Sequence, residues 1–264
     1  MRLLGALSVV VLLAGCAATP TLTPESSSPP TTTTATTTTA SISIELPDGR
    51  TAQLRGLGGA HATQLIDRIT AELPAAAAAV SDFWGPDWPR EIAVVVTGSE
   101  EQFGALAHAG SDIAAATTAE GMVFAPGAAK MSDDALRIVV RHELFHYAAR
   151  ARTVADAPLW LTEGVADYVA RPATAVPGQQ RAAELARLPS DTDLQTAGAA
   201  RSLGYDRAWW FSRYIADRYG PGTLRELYLR AAGPGHPDVA TAVRDTLGAG
   251  IDEVVVQWRQ WMNG

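Results

Sequence analysis

His142 and His146 stand four residues apart in the stretch RHELFHYAAR, with Glu143 directly after the first. On an α-helix each residue advances about 100°, so the two imidazoles project roughly 40° apart on one face, one turn from each other. Two ring nitrogens so placed can meet one metal ion, and zinc takes His nitrogen readily. A hydrolytic zinc site needs three protein ligands and leaves the fourth position to water. His-Glu-x-x-His supplies two of those ligands and a carboxylate that can serve as general base. The competing reading is a core helix whose two histidines are satisfied by hydrogen bonds.

Further along, APLWLTEGVADYVA (157–170) offers a third ligand. Pro158 sets an N-terminal turn, and Trp160, Leu161, Val165 and Val169 form an apolar stripe that would pack this helix on its neighbours. Glu163 and Asp167 lie four apart and share one face. A core-packed helix rarely carries two unpaired acids inward. With a dication and two histidines waiting, Glu163 can be the third ligand, and Asp167 can hold a ligand histidine through its other ring nitrogen. Otherwise the two acids form a solvated face.

HELFH, a sixteen-residue gap and then Glu163 in WLTEGVADYVA resembles the gluzincin metallopeptidases, particularly the bacterial peptidase MA-like domains. The likeness covers roughly residues 90–220. It implies Zn²⁺ held by His142, His146 and Glu163, with Glu143 as general base and Asp167 behind a ligand histidine. It also implies an active-site helix that follows a short sheet, whose edge strand would pair with an extended substrate; the stretch Gly121 to Phe124 is the candidate. Related gluzincins place a Tyr or His on a later helix as a donor to the oxyanion, and Tyr205 in SLGYDRAWWFSRYIADRYG takes that place by resemblance. Trp209, Trp210, Tyr214 and Tyr219 crowd the same region, and Tyr205 is equally readable as one more core aromatic. No H-x-x-G-x-x-H continuation follows His146, which weighs against a metzincin.

These residues need a scaffold. The chain has 264 residues, 47% hydrophobic and 19% charged, enough for a sizeable core. Of its 21 basic residues only Lys130 is a lysine, the formal charge is −7, and no basic block suggests a nucleic-acid partner. A single cysteine excludes an internal disulfide framework.

That cysteine is Cys16, at the end of MRLLGALSVVVLLAGC. Arg2, an apolar stretch from Leu3 to Leu13 and small residues after it read as a secretory signal peptide over 1–15. Leu13-Ala14-Gly15-Cys16 resembles the lipobox of bacterial lipoproteins, which implies a lipid on Cys16 and an extracytoplasmic domain tethered to the membrane. Thr, Pro and Ser dominate residues 19–40, so 16–40 reads as a disordered tether, and the folded domain as 41–264.

Within 41–264, apolar alternation on both sides of Pro47-Asp48-Gly49 predicts a hairpin. Leu65, Ile66, Ile69 and Leu73 predict a helix over 61–80, kinked or restarted at Pro74; EIAVVVTGS predicts a strand, EEQFGALAHA a short helix and GMVFAPG another strand. Ser132 with Asp133 and Asp134 opens a helix through about Arg150. Helices are predicted at 159–170, 179–188, 203–219, 222–231, 237–246 and 251–262. The fold class is α+β and zincin-like: a small, mainly antiparallel sheet packed on a helical region that carries the His-Glu-x-x-His helix. The expected activity is hydrolysis of a peptide or protein substrate. The alternatives are a non-catalytic zincin-fold lipoprotein that binds a partner, and a zinc amidase acting on cell-wall peptides.

Overall fold

The computed structural model describes residues 7–9, 41–58, 60–110 and 112–263. Cys16, most of the leader and all of the Thr/Pro/Ser-rich stretch lie outside the described residues.

Leu7–Val9 forms a short strand, β1. β2 (Ser41–Glu45) and β3 (Thr51–Gly56) are the expected antiparallel hairpin, with Ile42 opposite Leu54 and Ile44 opposite Ala52. Gly49 closes the turn at φ +78°, a conformation that suits glycine. α1 (Ala60–Trp84) then crosses the sheet, with Pro74 inside it, and delivers the chain to β4 (Glu91–Val96). A helical crossover returns a strand in the same direction, so β4 pairs parallel to β3. Ala52 and Leu54 of β3 and Ile92, Val94 and Val96 of β4 are buried, and so are Leu65, Ile66, Ile69 and Leu73 of α1.

α2 (Glu100–Ala107) is capped by Ser99, whose hydroxyl accepts from the Gln102 amide at 3.2 Å. After it come β5 (Ala115–Thr117) and β6 (Met122–Phe124), an antiparallel pair. β6 lies parallel to β4, and the strand order is β1-β5-β6-β4-β3-β2. The sheet is thus mixed: three of its five pairings among the described residues are antiparallel, as expected, and the two between β3, β4 and β6 are parallel. Two helical crossovers, through α1 and α2, make the central pairings parallel. The expected substrate-pairing strand is also displaced: β6 is interior, flanked by β4 and β5, and the strand packed most closely on the His-Glu-x-x-His helix is β5, along which β1 runs antiparallel.

The rest is helical: α3 (Asp133–Ala149), α4 (Leu159–Ala170), α5 (Gln179–Leu185), α6 (Asp191–Gln195), α7 (Ala199–Tyr219), α8 (Pro221–Ala232), α9 (Val239–Leu247) and α10 (Ile251–Asn263). α3 starts where the Ser132 hydroxyl accepts from the Ala135 amide, with Asp133 and Asp134 at the positive end of the helix dipole. It packs between α1 and α4, and α4 in turn lies against α7. Phe145 of α3 meets Trp84 and Tyr228 edge-on, at 5.5 Å from each, which locks the buried side of α3 to α1 and α8. α4 and α7 approach closely at Gly164, where a Cβ would stand 2.4 Å from the Ala208 carbonyl oxygen. Among the described residues no helix is long and apolar enough to cross a membrane.

Candidate metal centre

α3 turns His142 and His146 toward Glu163 and Asp167 of α4, and Glu143 toward Thr117 of β5. All five side chains are buried; His142 and Glu143 are 0% exposed and Asp167 is 1% exposed. His142 Nε2 lies 3.0 Å from His146 Nε2 and 3.3 Å from Glu163 Oε2, and His146 Nε2 lies 3.5 Å from the same oxygen. Ligands at about 2.05 Å around a tetrahedral ion stand roughly 3.3 Å apart, so this triangle has the size of one face of a zinc tetrahedron. Three buried donors converging without a cation of their own would be costly, and one shared dication removes that cost. The residues therefore fit zinc.

Asp167 Oδ1 accepts the Nδ1 proton of His142 at 2.9 Å, which fixes the ring and leaves Nε2 facing His146 and Glu163. Burial alone would lower the pKa of the His142 ring, but hydrogen bonds and charge from Asp167 and Glu163 outweigh it and raise that pKa to about 10. Burial would raise the pKa of Glu163, yet the two histidines pull it down to about 2. In the absence of metal, protons on imidazole thus play the part of the cation.

Glu143 points differently from His142, His146 and Glu163. Its Oε2 accepts from the Thr117 hydroxyl at 2.7 Å, and the same hydroxyl lies 3.0 Å from the Glu143 carbonyl oxygen. Oε1 is buried and has no hydrogen-bond partner among the described residues. Burial raises the Glu143 pKa, with the histidines and Thr117 working against the rise. A carboxylate held at one oxygen, desolvated and free at the other, is suited to exchange a proton beside the metal position.

Tyr205, on α7, is buried with its ring centroid 6.3 Å from that of His142, so the structure brings it to the same site. Trp209 and Trp210 belong to the hydrophobic core of the helical region. His61 and His108 are exposed, and His236 pairs with Asp156 at 3.5 Å, away from the site. Two neighbours escaped the sequence reading. Thr117 sits on a three-residue strand of Ala and Thr that carries no periodic signal. Arg171 was legible as the next step in the four-residue spacing of Glu163 and Asp167, and its Nη2 stands 2.6 Å from Asp167 Oδ2.

No family model and no curated protein matches the sequence. Among solved structures, the aminopeptidase A of Legionella pneumophila, in complex with aspartic acid, superposes with a TM-score of 0.54 at 15% identity. That superposition covers 84% of this chain and 28% of the aminopeptidase. The fold is zincin-like. A point variant of the M1 zinc metallopeptidase from Deinococcus radiodurans is similar at a TM-score of 0.49 and 18% identity, over 86% of this chain and 52% of that one. The chain thus spans between about a quarter and a half of the length of these enzymes. The zincin-like fold is α+β, a small mixed sheet against a predominantly helical body.

Proposed function

We propose that the chain is a zinc-dependent metallopeptidase of gluzincin type, held outside the cytoplasm by lipid on Cys16. The observation that carries the activity is the pairing of a three-donor triangle, His142, His146 and Glu163, with a separate buried carboxylate, Glu143, that has one oxygen free among the described residues. A metal site with a purely structural role has no use for that second carboxylate, which disfavours the reading as a non-catalytic binding lipoprotein. The anchor rests on the sequence from Leu13 to Cys16, with residues 17–40 as the tether.

Zinc, when bound, supplies Lewis acidity to a scissile carbonyl and to the attacking water. Glu143 Oε1 accepts the proton of that water and returns it to the leaving amine, while Thr117 keeps Oε2 in place. Asp167 holds the His142 tautomer, and the Tyr205 hydroxyl donates to the developing oxyanion.

The test is metal content and turnover on the detergent-purified full chain. Near one zinc per wild-type chain, almost none in a His142→Ala/His146→Ala variant, and a Glu143→Gln variant that keeps zinc but loses about 10²-fold or more of peptide hydrolysis would support the proposal. No zinc in the wild type after supplementation would defeat the metal reading. Full activity of Glu143→Gln on a cleaved substrate would defeat the role of Glu143.

A further inference from the structure

We propose that Arg171 is a positioning residue for the metal centre, acting on the zinc ligand His142 through Asp167. The inference rests on the zinc reading above. Arg171 is the residue that ends α4: its backbone N–H donates to the Asp167 carbonyl at 2.9 Å, and its backbone then leaves the helix in an extended conformation. From there its side chain folds back along the helix. Nη2 reaches Asp167 Oδ2 at 2.6 Å, and Nη1 donates to Asp206 Oδ1 at 2.8 Å. The guanidinium also stands 5.1 Å from the Trp209 ring, within cation–π range. Asp206 and Trp209 both belong to α7, so the cation is gripped from two helices at once.

Geometry and charge give this grip a task. Asp167 has one oxygen hydrogen-bonded to His142 and the other in close ion-pair contact with Arg171, so the charge of the guanidinium biases how the carboxylate is turned and hence how the imidazole is aimed. His142 is the better anchored of the two ligand rings, because His146 Nδ1 has no hydrogen-bond partner among the described residues. Any freedom in Asp167 would therefore pass directly to the one ring that is fixed. Three carboxylates, Glu143, Glu163 and Asp167, are buried at this site. A dication balances two of them, and Arg171 supplies the third positive charge in direct contact with the third acid. A planar fork can face two carboxylates at once, which an ammonium group on a flexible stem does poorly. The contrasting reading is an ion pair that merely ties α4 to α7.

The two readings separate in zinc affinity. Full-length wild type, Arg171→Gln, Arg171→Lys and Asp206→Asn are titrated with zinc against a competing chelator, and the His142 Nδ1 proton is followed by NMR in the zinc-loaded proteins. Arg171→Gln is expected to bind zinc about tenfold to a hundredfold more weakly, with the Nδ1 proton resonance shifted or lost to exchange. Arg171→Lys should recover part of the affinity, and Asp206→Asn, altered on the more exposed side of the network, should lose about threefold. Thermal unfolding of the metal-free proteins runs alongside. A lower melting temperature with unchanged zinc affinity and an unchanged Nδ1 resonance would overturn the inference and leave a helix-to-helix ion pair. Should Arg171→Gln fail to fold, unchanged affinity and resonance in Arg171→Lys and Asp206→Asn would overturn it equally. A wild type that binds no zinc would instead overturn the metal reading on which the inference rests.

Discussion

Replacing Gly164 by alanine sets two opposed effects against each other. Alanine is the better helix former, worth about 1 kcal/mol over glycine in a helix interior. The added Cβ, however, would lie 2.4 Å from the Ala208 carbonyl oxygen and 2.6 Å from Ser212 Oγ, where ordinary contact begins at 3.4 Å. The shortfall at the carbonyl is 3.4 − 2.4, or 1.0 Å, and that atom is backbone in the middle of α7 and cannot rotate aside. Overpacking of this kind costs about 1–3 kcal/mol, and a clash with rigid backbone belongs at the upper end. The net loss is therefore about 1–2 kcal/mol, which lowers the melting temperature by roughly 2–8 °C in a domain of this size. Calorimetry on the metal-free protein measures it. Because Glu163 precedes Gly164 in α4, the same separation of helices should also weaken zinc binding. A companion Gly164→Ala/Ser212→Ala variant should recover only the smaller part, since the carbonyl contact persists. A melting temperature equal to or above wild type would show that α4 and α7 are not in close contact at this point.

Other outcomes follow from the same geometry. Thr117→Val removes the donor to Glu143 while keeping the side-chain shape; hydrogen bonds to charged groups are worth about 1.5–3 kcal/mol, so kcat on a cleaved peptide should fall about tenfold or more at unchanged zinc affinity. Equal kcat would take Thr117 out of the mechanism. Tyr205→Phe should likewise lower turnover far more than zinc affinity, and an unchanged rate would return Tyr205 to the core. In the metal-free protein the His142 pKa is raised to about 10, so at pH 7 the ring carries a proton that zinc must displace. Zinc uptake at pH 7 should release that proton, and affinity should climb with pH toward about 10, as read by titration calorimetry in buffers of different ionisation enthalpy. Uptake without proton release would contradict the raised pKa.

The helical half was legible because its signals are local. Ser132 before two aspartates marked the start of α3, and apolar spacing marked α4 and α7 to α10. Glu163 and Asp167 were readable for the same reason, since four-residue spacing survives folding unchanged. The sheet was less so. β5 is three small residues whose place is set by pairing with β6 and not by any pattern of its own, so Thr117 could not be found. Parallel pairing of β3 with β4 depends on a 25-residue crossover helix, whereas the hairpin signal at Pro47-Asp48-Gly49 is all that the sequence displays of strand direction. α6, five residues long with a Ser190 capping box, was too short for periodicity to reveal. Arg171 lay in plain view, but its bond to Asp206 joins residues 35 apart and exists only once α7 has docked.

All three donors of the triangle, and the aspartate behind one of them, fall between residues 142 and 167 on two consecutive helices. Closing the short connection between α3 and α4 costs little chain entropy, so this pair can meet early in folding. On a growing polypeptide His142, His146, Glu163 and Asp167 are all present before any residue of α7 has been made. A dication caught at that stage would staple the α3–α4 hairpin and offer α7 a finished surface on which to lay Tyr205, Asp206 and Trp209. The spacing thus allows the proposed seat of the cation to form before α7 closes over it, against α1 and β5, which precede α3 in the chain.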